Sequence, residues 1–270
     1  MAREAAGLIA RIKRYRSGQI LTPLIDQYLR EQSTKDGVQF SPETMQLLAK
    51  LHLRKPRYRG GSFSCSSLAS CMRAQMLNYL DYEQIVLPNE AREAIFFNGN
   101  WLHLKWQGIL IEMGVVARGP TGVPMVEQRV SLPNQNVEGT LDAICNLNHP
   151  TQWIVDIKGV GPGYWTKMKE GWIPEVYIWQ QHAYMMATGI PNAMLLVESK
   201  ATQEYLELHI PPLTDSSALQ VQARIAALNK FIDLQELPPM LKHYPRDPQC
   251  KQCPFMLDCP KAVYREVIPL

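Results

Sequence analysis

The segment Trp153-Ile154-Val155-Asp156-Ile157-Lys158 constrains the chain most, because it reads as a buried strand that carries two charges on one face. Side chains at i and i+2 of a strand project the same way, so Asp156 and Lys158 share a face. Charges in an otherwise apolar strand cost free energy unless they are paired or serve a purpose. The preceding strand-like stretch ends in Gly139-Thr140-Leu141-Asp142, which can set a second carboxylate beside Asp156. Two converging carboxylates suit a hard divalent cation with oxygen ligands, Mg²⁺ or Mn²⁺. A lysine one step along the strand can position the water that attacks a phosphodiester while the cation meets the developing charge. An exposed polar strand face would produce the same alternation, and an isolated Asp-x-Lys does not distinguish the two.

The surrounding pattern predicts an α/β protein. Residues 1–55 read as helical, with Ile20, Leu21, Leu24, Ile25 and Leu29 at helical spacing and Ser41-Pro42 opening a further helix. Helical blocks are expected at Ser66 to Tyr82 and Glu90 to Met113. Three strands follow, Val126 to Leu132, Asn136 to Cys145 and Trp153 to Lys158. A flexible Gly159–Gly163 loop then leads toward a helix from Pro174 to Thr188, closed by Gly189. Met194 to Glu198 and Tyr205 to Ile210 suggest a hairpin, and Thr214 or Asp215 caps a helix running to Leu237. The expected organisation is a helical N-terminal extension (1–60), a core with a central mixed sheet flanked by helices (61–240), and a cysteine-bearing C-terminal segment (241–270).

Among 270 residues, 28 are basic and 25 acidic, a net +3, so nucleic-acid binding must be argued from local patches. One such patch is Arg54, Lys55, Arg57 and Arg59 around Tyr58, to which Arg73 adds a charge; a solvated linker would look alike. Tyr164, Trp165, Lys167 and Lys169 follow the glycine loop and suit base stacking and phosphate contact, with core packing an equal alternative for Trp165. The loop lacks the Gly-Lys-Ser/Thr of a nucleotide-binding motif. No apolar run reaches the roughly 18–20 residues of a membrane span, and the basic N-terminus lacks a secretory h-region, so a cytoplasmic location is expected. In a reducing compartment the tight Cys250-x2-Cys253-x5-Cys259 loop suggests metal rather than disulfides. A tetrahedral zinc site or a cubane iron–sulfur cluster needs a fourth thiolate, from Cys65, Cys71 or Cys145.

Taken together, Gly99-x3-His103, Gly139-x2-Asp142, Asp156-x-Lys158 and Gln180-x3-Tyr184 resemble, in order, the motifs of the PD-(D/E)XK superfamily and of its RecB-like exonucleases. The motif-bearing region runs from about Ser64 to Cys259, and residues 1–55 lie outside it. The resemblance implies the restriction-endonuclease-like core, with His103, Asp142, Asp156 and the carbonyl of Ile157 holding Mg²⁺ or Mn²⁺. It implies that Lys158 positions the water and that Gln180 and Tyr184, one helical turn apart, orient substrate or nucleophile. Glu127 stands where many relatives keep an extra acid. A serine-rich stretch before Cys71 resembles the segment that supplies the fourth ligand of a [4Fe–4S] cluster in four-cysteine members, such as the CRISPR-associated exonucleases. Here Met72 replaces their proline. The implied function is exonuclease action on DNA ends in repair, recombination, replication or spacer acquisition, favouring single strands and running 5′ to 3′, with a recombination or CRISPR-adaptation protein as the implied partner. Two alternatives remain, a structure- or sequence-specific endonuclease on the same fold and a non-catalytic iron–sulfur module that binds DNA.

Overall fold

A computed structural model describes residues 18–52, 60–84, 90–132, 135–147, 150–251 and 253–265. The elements are α1 (Thr22–Ser33), α2 (Pro42–His52), β1 (Phe63–Ser64), α3 (Met72–Tyr79), α4 (Glu90–Glu112), β2 (Val126–Leu132), β3 (Val137–Cys145) and β4 (Trp153–Val160). They continue with α5 (Pro162–Lys169), α6 (Glu175–Thr188), β5 (Asn192–Ser199), β6 (Tyr205–His209), α7 (Asp215–Asp233) and the single turn α8 (Pro248–Lys251). One mixed sheet runs β1-β3-β4-β5-β6, and β2 pairs along β3. Helices cover both faces, as the sequence pattern predicts. Among the described residues, no helix is long and apolar enough to cross a membrane.

Local chemistry explains several boundaries. Ser41 Oγ accepts the Thr44 N–H at the start of α2, and Thr214 and Ser217 form a capping box at the start of α7. Gly189, at φ +71°, closes α6 by donating its N–H to Met185 O. The structure corrects the stretch after Lys158. Gly159 and Val160 pair with Glu198 and Ser199, so β4 runs two residues further. Pro162 then opens α5, because its fixed φ suits the first helical turn. The expected Gly159–Gly163 loop shrinks to a hinge at Gly161. Gly159 is glycine because a Cβ there would lie 2.7 Å from Leu102 of α4. The expected Ser66–Tyr82 helix is a 3-10 turn at Cys65–Ser67 followed by α3, and the long helix after Thr214 ends at Asp233.

Two apolar clusters sandwich the sheet. One holds Leu68, Met76, Leu141, Ile154, Met168, Ala183, Leu195 and Ile225; the other joins Leu21 and Ile25 of α1 to Trp106, Leu110, Val155 and Leu196. The N-terminal helices therefore share the core rather than stand apart from it. A buried carboxylate fixes them. Glu207 of β6 accepts the backbone N–H groups of Ile20 (2.6 Å), Leu21 (2.7 Å) and Thr22 (2.6 Å) and the Thr22 hydroxyl (3.1 Å). It thereby satisfies the orphan donors at the start of α1, where negative charge is favoured. Burial opposes ionisation of Glu207, but these bonds and His209 outweigh it and hold its pKa below the ordinary 4.5. Glu207→Ala is expected to cost about 3–5 kcal/mol of stability by leaving several buried donors unpaired. Because the folded pKa is depressed, that contribution is complete above 4.5 and is lost as pH falls through the folded value. The stability difference between the two proteins in urea unfolding should therefore be largest above 4.5 and shrink once the pH falls below the depressed value.

Candidate active site

The site occupies a fork between β3 and β4. The two strands pair only at Ala143–Val155, Ile144–Ile154 and Cys145–Trp153 and then part, although the same register would set Asp142 opposite Asp156. Past the fork, the Ile157 N–H goes to Asp142 Oδ2 (2.6 Å) instead of a backbone carbonyl of β3. The carboxylate thus stands in for the missing rung and is locked in orientation. What reaches it is the Ile157 amide.

On one side of the fork lie His103, Glu127 and Asp142, whose ligand atoms all fall within 4.8 Å of one another. His103 Nδ1 is 3.3 Å from Asp142 Oδ1. Glu127 lies across from Asp142 on β2, between the pairs Val126–Ala143 and Gln128–Leu141, and its φ of +49° is a strained value for a glutamate. Gln107, four residues after His103 on the same face of α4, donates to Glu127 Oε1 (2.7 Å) and to Asp142 O (3.0 Å). Burial disfavours a charged His103, but Asp142, Asp156 and Glu127 together hold its pKa above the usual imidazole value. That response is what an oxygen-rich, cation-seeking pocket imposes on a neighbouring base. The resemblance marks Glu127 only as the position of an extra acid, and it does not include Gln107. Glu127 is visible in sequence only as an acid on the preceding strand, and Gln107 only through its i+4 spacing from His103.

On the other side, Asp156 is 2% exposed and pairs with Lys158 Nζ at 2.7 Å. Burial pushes the Asp156 carboxyl up to about 6, with Lys158 pulling it down and Asp142 adding to the rise. Burial works against the charge of Lys158, and Asp156 and Asp142 more than restore it, so its pKa is raised. Lys158 is therefore a cation in this state. Gln180 approaches both partners, with Oε1 3.4 Å from Lys158 Nζ and Nε2 3.5 Å from Asp156 Oδ1. Tyr184 accepts from Gln180 (3.1 Å) and donates its hydroxyl proton to Thr140 O (2.8 Å). Both functions of the Tyr184 hydroxyl are thus engaged, and its ring is buried. Gly139 is glycine because a Cβ would lie 2.6 Å from the Tyr184 ring and 3.0 Å from Cys65 Sγ. The space around Gly99 is open, so packing gives no reason for that glycine.

The basic residues fare differently. Arg54, Lys55, Arg57 and Arg59 lie outside the described residues. Arg73 is no phosphate contact. Its buried guanidinium donates to the carbonyls of Cys259 (3.1 and 2.7 Å), Pro238 (2.8 Å) and Ala262 (3.3 Å), clasping α3 to the C-terminal segment. Lys167 is exposed, 5.3 Å above the Trp172 ring, whereas Trp165 is buried in the core.

Cys71, Cys250, Cys253 and Cys259 line one cavity of about 460 Å³, together with Leu77, Tyr244 and Met256. The Cys71 N–H donates to Gln249 Oε1 (2.9 Å), which joins the start of α3 to the C-terminal loop. Cys65 packs elsewhere, against Gly139, and Cys145 is buried in the other apolar cluster.

No protein-family model matches the chain, and no curated protein matches it in sequence. Among solved structures it is similar to SSO0001, at 16% identity over 82% of this chain and 97% of that one, with a TM-score of 0.47. It is also similar to the alkaline exonuclease LHK-Exo of Laribacter hongkongensis in complex with dAMP, at 16% identity over 65% and 89% of the two chains, TM-score 0.47. A phage-related exonuclease from Haemophilus somnus 129PT aligns at 13% identity over 66% and 95%, TM-score 0.43.

Proposed function

We propose that this chain is a divalent-metal-dependent DNA exonuclease. One observation carries the reading: a fork in the sheet gathers His103, Glu127 and Asp142 next to a buried Asp156–Lys158 pair. The donor set of one imidazole and two carboxylates suits Mg²⁺ or Mn²⁺. When bound, such an ion supplies an activated water and charge stabilisation at phosphorus. Asp142 and Glu127 are held ready by the Ile157 amide and Gln107, so little reorganisation is needed on binding. Asp156 keeps Lys158 charged and aimed, and Lys158 offers its ammonium to a phosphate oxygen or the attacking water. Gln180, braced by Tyr184, orients the same ammonium.

Attack from DNA ends, preference for single strands, 5′-to-3′ polarity and work in repair, recombination, replication or spacer acquisition follow from the motif resemblance. The same resemblance, with the cavity that four thiols share, supports a structural [4Fe–4S] cluster on Cys71, Cys250, Cys253 and Cys259. It would tie α3 to the C-terminal segment, as Arg73 already does through Cys259 O. On this reading residues 61–240 are the nuclease core, 1–60 its helical extension and 241–270 its cluster segment.

Incubation with end-labelled linear and with circular single-stranded DNA in Mn²⁺ tests the function. Linear DNA should be shortened from an end and the circle left intact. Opening of the circle at the same rate would replace the exonuclease with an endonuclease, and no cleavage of either would remove the nuclease.

A further inference from the structure

Aromatic rings cluster near the lysine of the site. Lys158 Nζ sits 5.0 Å from the centre of the Tyr177 ring, one turn before Gln180 on the same face of α6. Tyr177 itself is partly buried and packs against the core, whereas Tyr164 of α5 and Trp172 in the turn that follows stand out from it. Tyr164 and Trp172 pack edge to face, centroids 5.5 Å apart at 62°, and Lys167 Nζ caps the Trp172 ring at 5.3 Å. Tyr164 is 51% and Trp172 43% exposed, although the neighbouring Trp165 is tucked into the core. Two large rings left in water beside two lysines are not needed for packing. Unpaired bases offer π-faces, and the phosphates between them offer charge, so this combination suits a single strand. A duplex hides its base faces and would gain only the lysine contacts.

We propose that the exposed Tyr164–Trp172 pair forms a stacking track for unpaired DNA bases near the site, with Lys167 meeting the phosphate beside Trp172. The track rests on the nuclease reading for its purpose, and it sets strand preference rather than chemistry. Its test is binding without cleavage. Fluorescence anisotropy of labelled oligo-dT and of a blunt duplex of equal length is measured at fixed salt, without added divalent cation. Tyr164→Ala with Trp172→Ala should weaken oligo-dT binding about 10- to 100-fold, from the lost stacking of one or two bases, and leave duplex binding unchanged. Trp172→Phe with Tyr164→Phe should restore it, which separates loss of stacking from loss of fold. Unchanged oligo-dT affinity in the alanine pair, or an equal fall for both DNAs, would overturn the track. The outcomes separate the two proposals. Ring-dependent oligo-dT binding with no cleavage in Mn²⁺ would remove the nuclease and keep the track. Cleavage with ring-independent binding would do the reverse.

Discussion

Asp156→Asn is expected to lower metal-dependent DNA cleavage at least about 100-fold while the protein still folds. The substitution keeps side-chain volume in a position that is 2% exposed, so packing in the core is little disturbed. What it removes is the charge that holds Lys158 at 2.7 Å and keeps its ammonium protonated against burial. Gln180 then loses one of the two groups it spans, and the lysine is free to leave the fork. Because the converging ligand group is His103, Glu127 and Asp142, Asp156→Asn should reduce the rate more than it reduces Mn²⁺ affinity. Asp142→Asn should do the opposite, since its single amide oxygen can accept from the Ile157 amide or face an ion but no longer do both with a negative charge. Single-turnover cleavage and calorimetric Mn²⁺ titration of the two variants check this. Full activity in Asp156→Asn, or the same metal affinity loss in both, would break the division of labour between the two sides of the fork.

The fork itself was only half legible in the sequence. Alternating charge and apolar residues placed β3 and β4 correctly, because a period of two is a local property. That the strands part after Ala143–Val155 is a tertiary fact, and it turns Asp142 into a partner for the Ile157 amide. Gly139 was readable as a motif residue, but the Tyr184 ring that forbids a side chain there comes from a helix more than forty positions away. α5 was missed because Gly161-Pro162-Gly163 resembles a loop, while proline at a helix start is favourable. Arg73 was misread for a related reason. Surface and buried arginines look the same in sequence, and its carbonyl partners Pro238, Cys259 and Ala262 lie more than 160 positions along the chain. Glu127 was marked by its place before the Gly-x-x-Asp strand, but Gln107 carries no pattern that separates it from an ordinary polar residue until β2 and α4 are docked against β3.

On the proposed iron–sulfur cluster, Cys253→Ser is expected to remove the cluster's visible absorbance and to leave the protein insoluble or loosened at its C-terminal end. Burial and the neighbouring thiols raise the pKa of Cys250 and Cys253; burial and Cys71 raise that of Cys259, with Arg73 opposing. Groups so placed do not ionise together unless a cation compensates them, and a bound cluster does so. The four thiols line a pocket of about 460 Å³. Structural zinc sites contribute about 10–16 kcal/mol, of the same order as the total of about 5–15 kcal/mol of a typical domain, so a metal group lost with one of its four ligands would loosen this segment. The segment is otherwise tied to the rest of the chain by Arg73, by Gln249 on the Cys71 N–H, by Tyr82 on Val263 and by Arg265 on Leu80 and Asp81, and its own helix α8 is one turn. Cys65→Ala provides the control, because Cys65 lies against Gly139 in the sheet core and should leave iron and sulfide content intact. A soluble Cys253→Ser protein with full iron content would sink the assignment, and a colourless wild type carrying zinc would replace the cluster with a single ion.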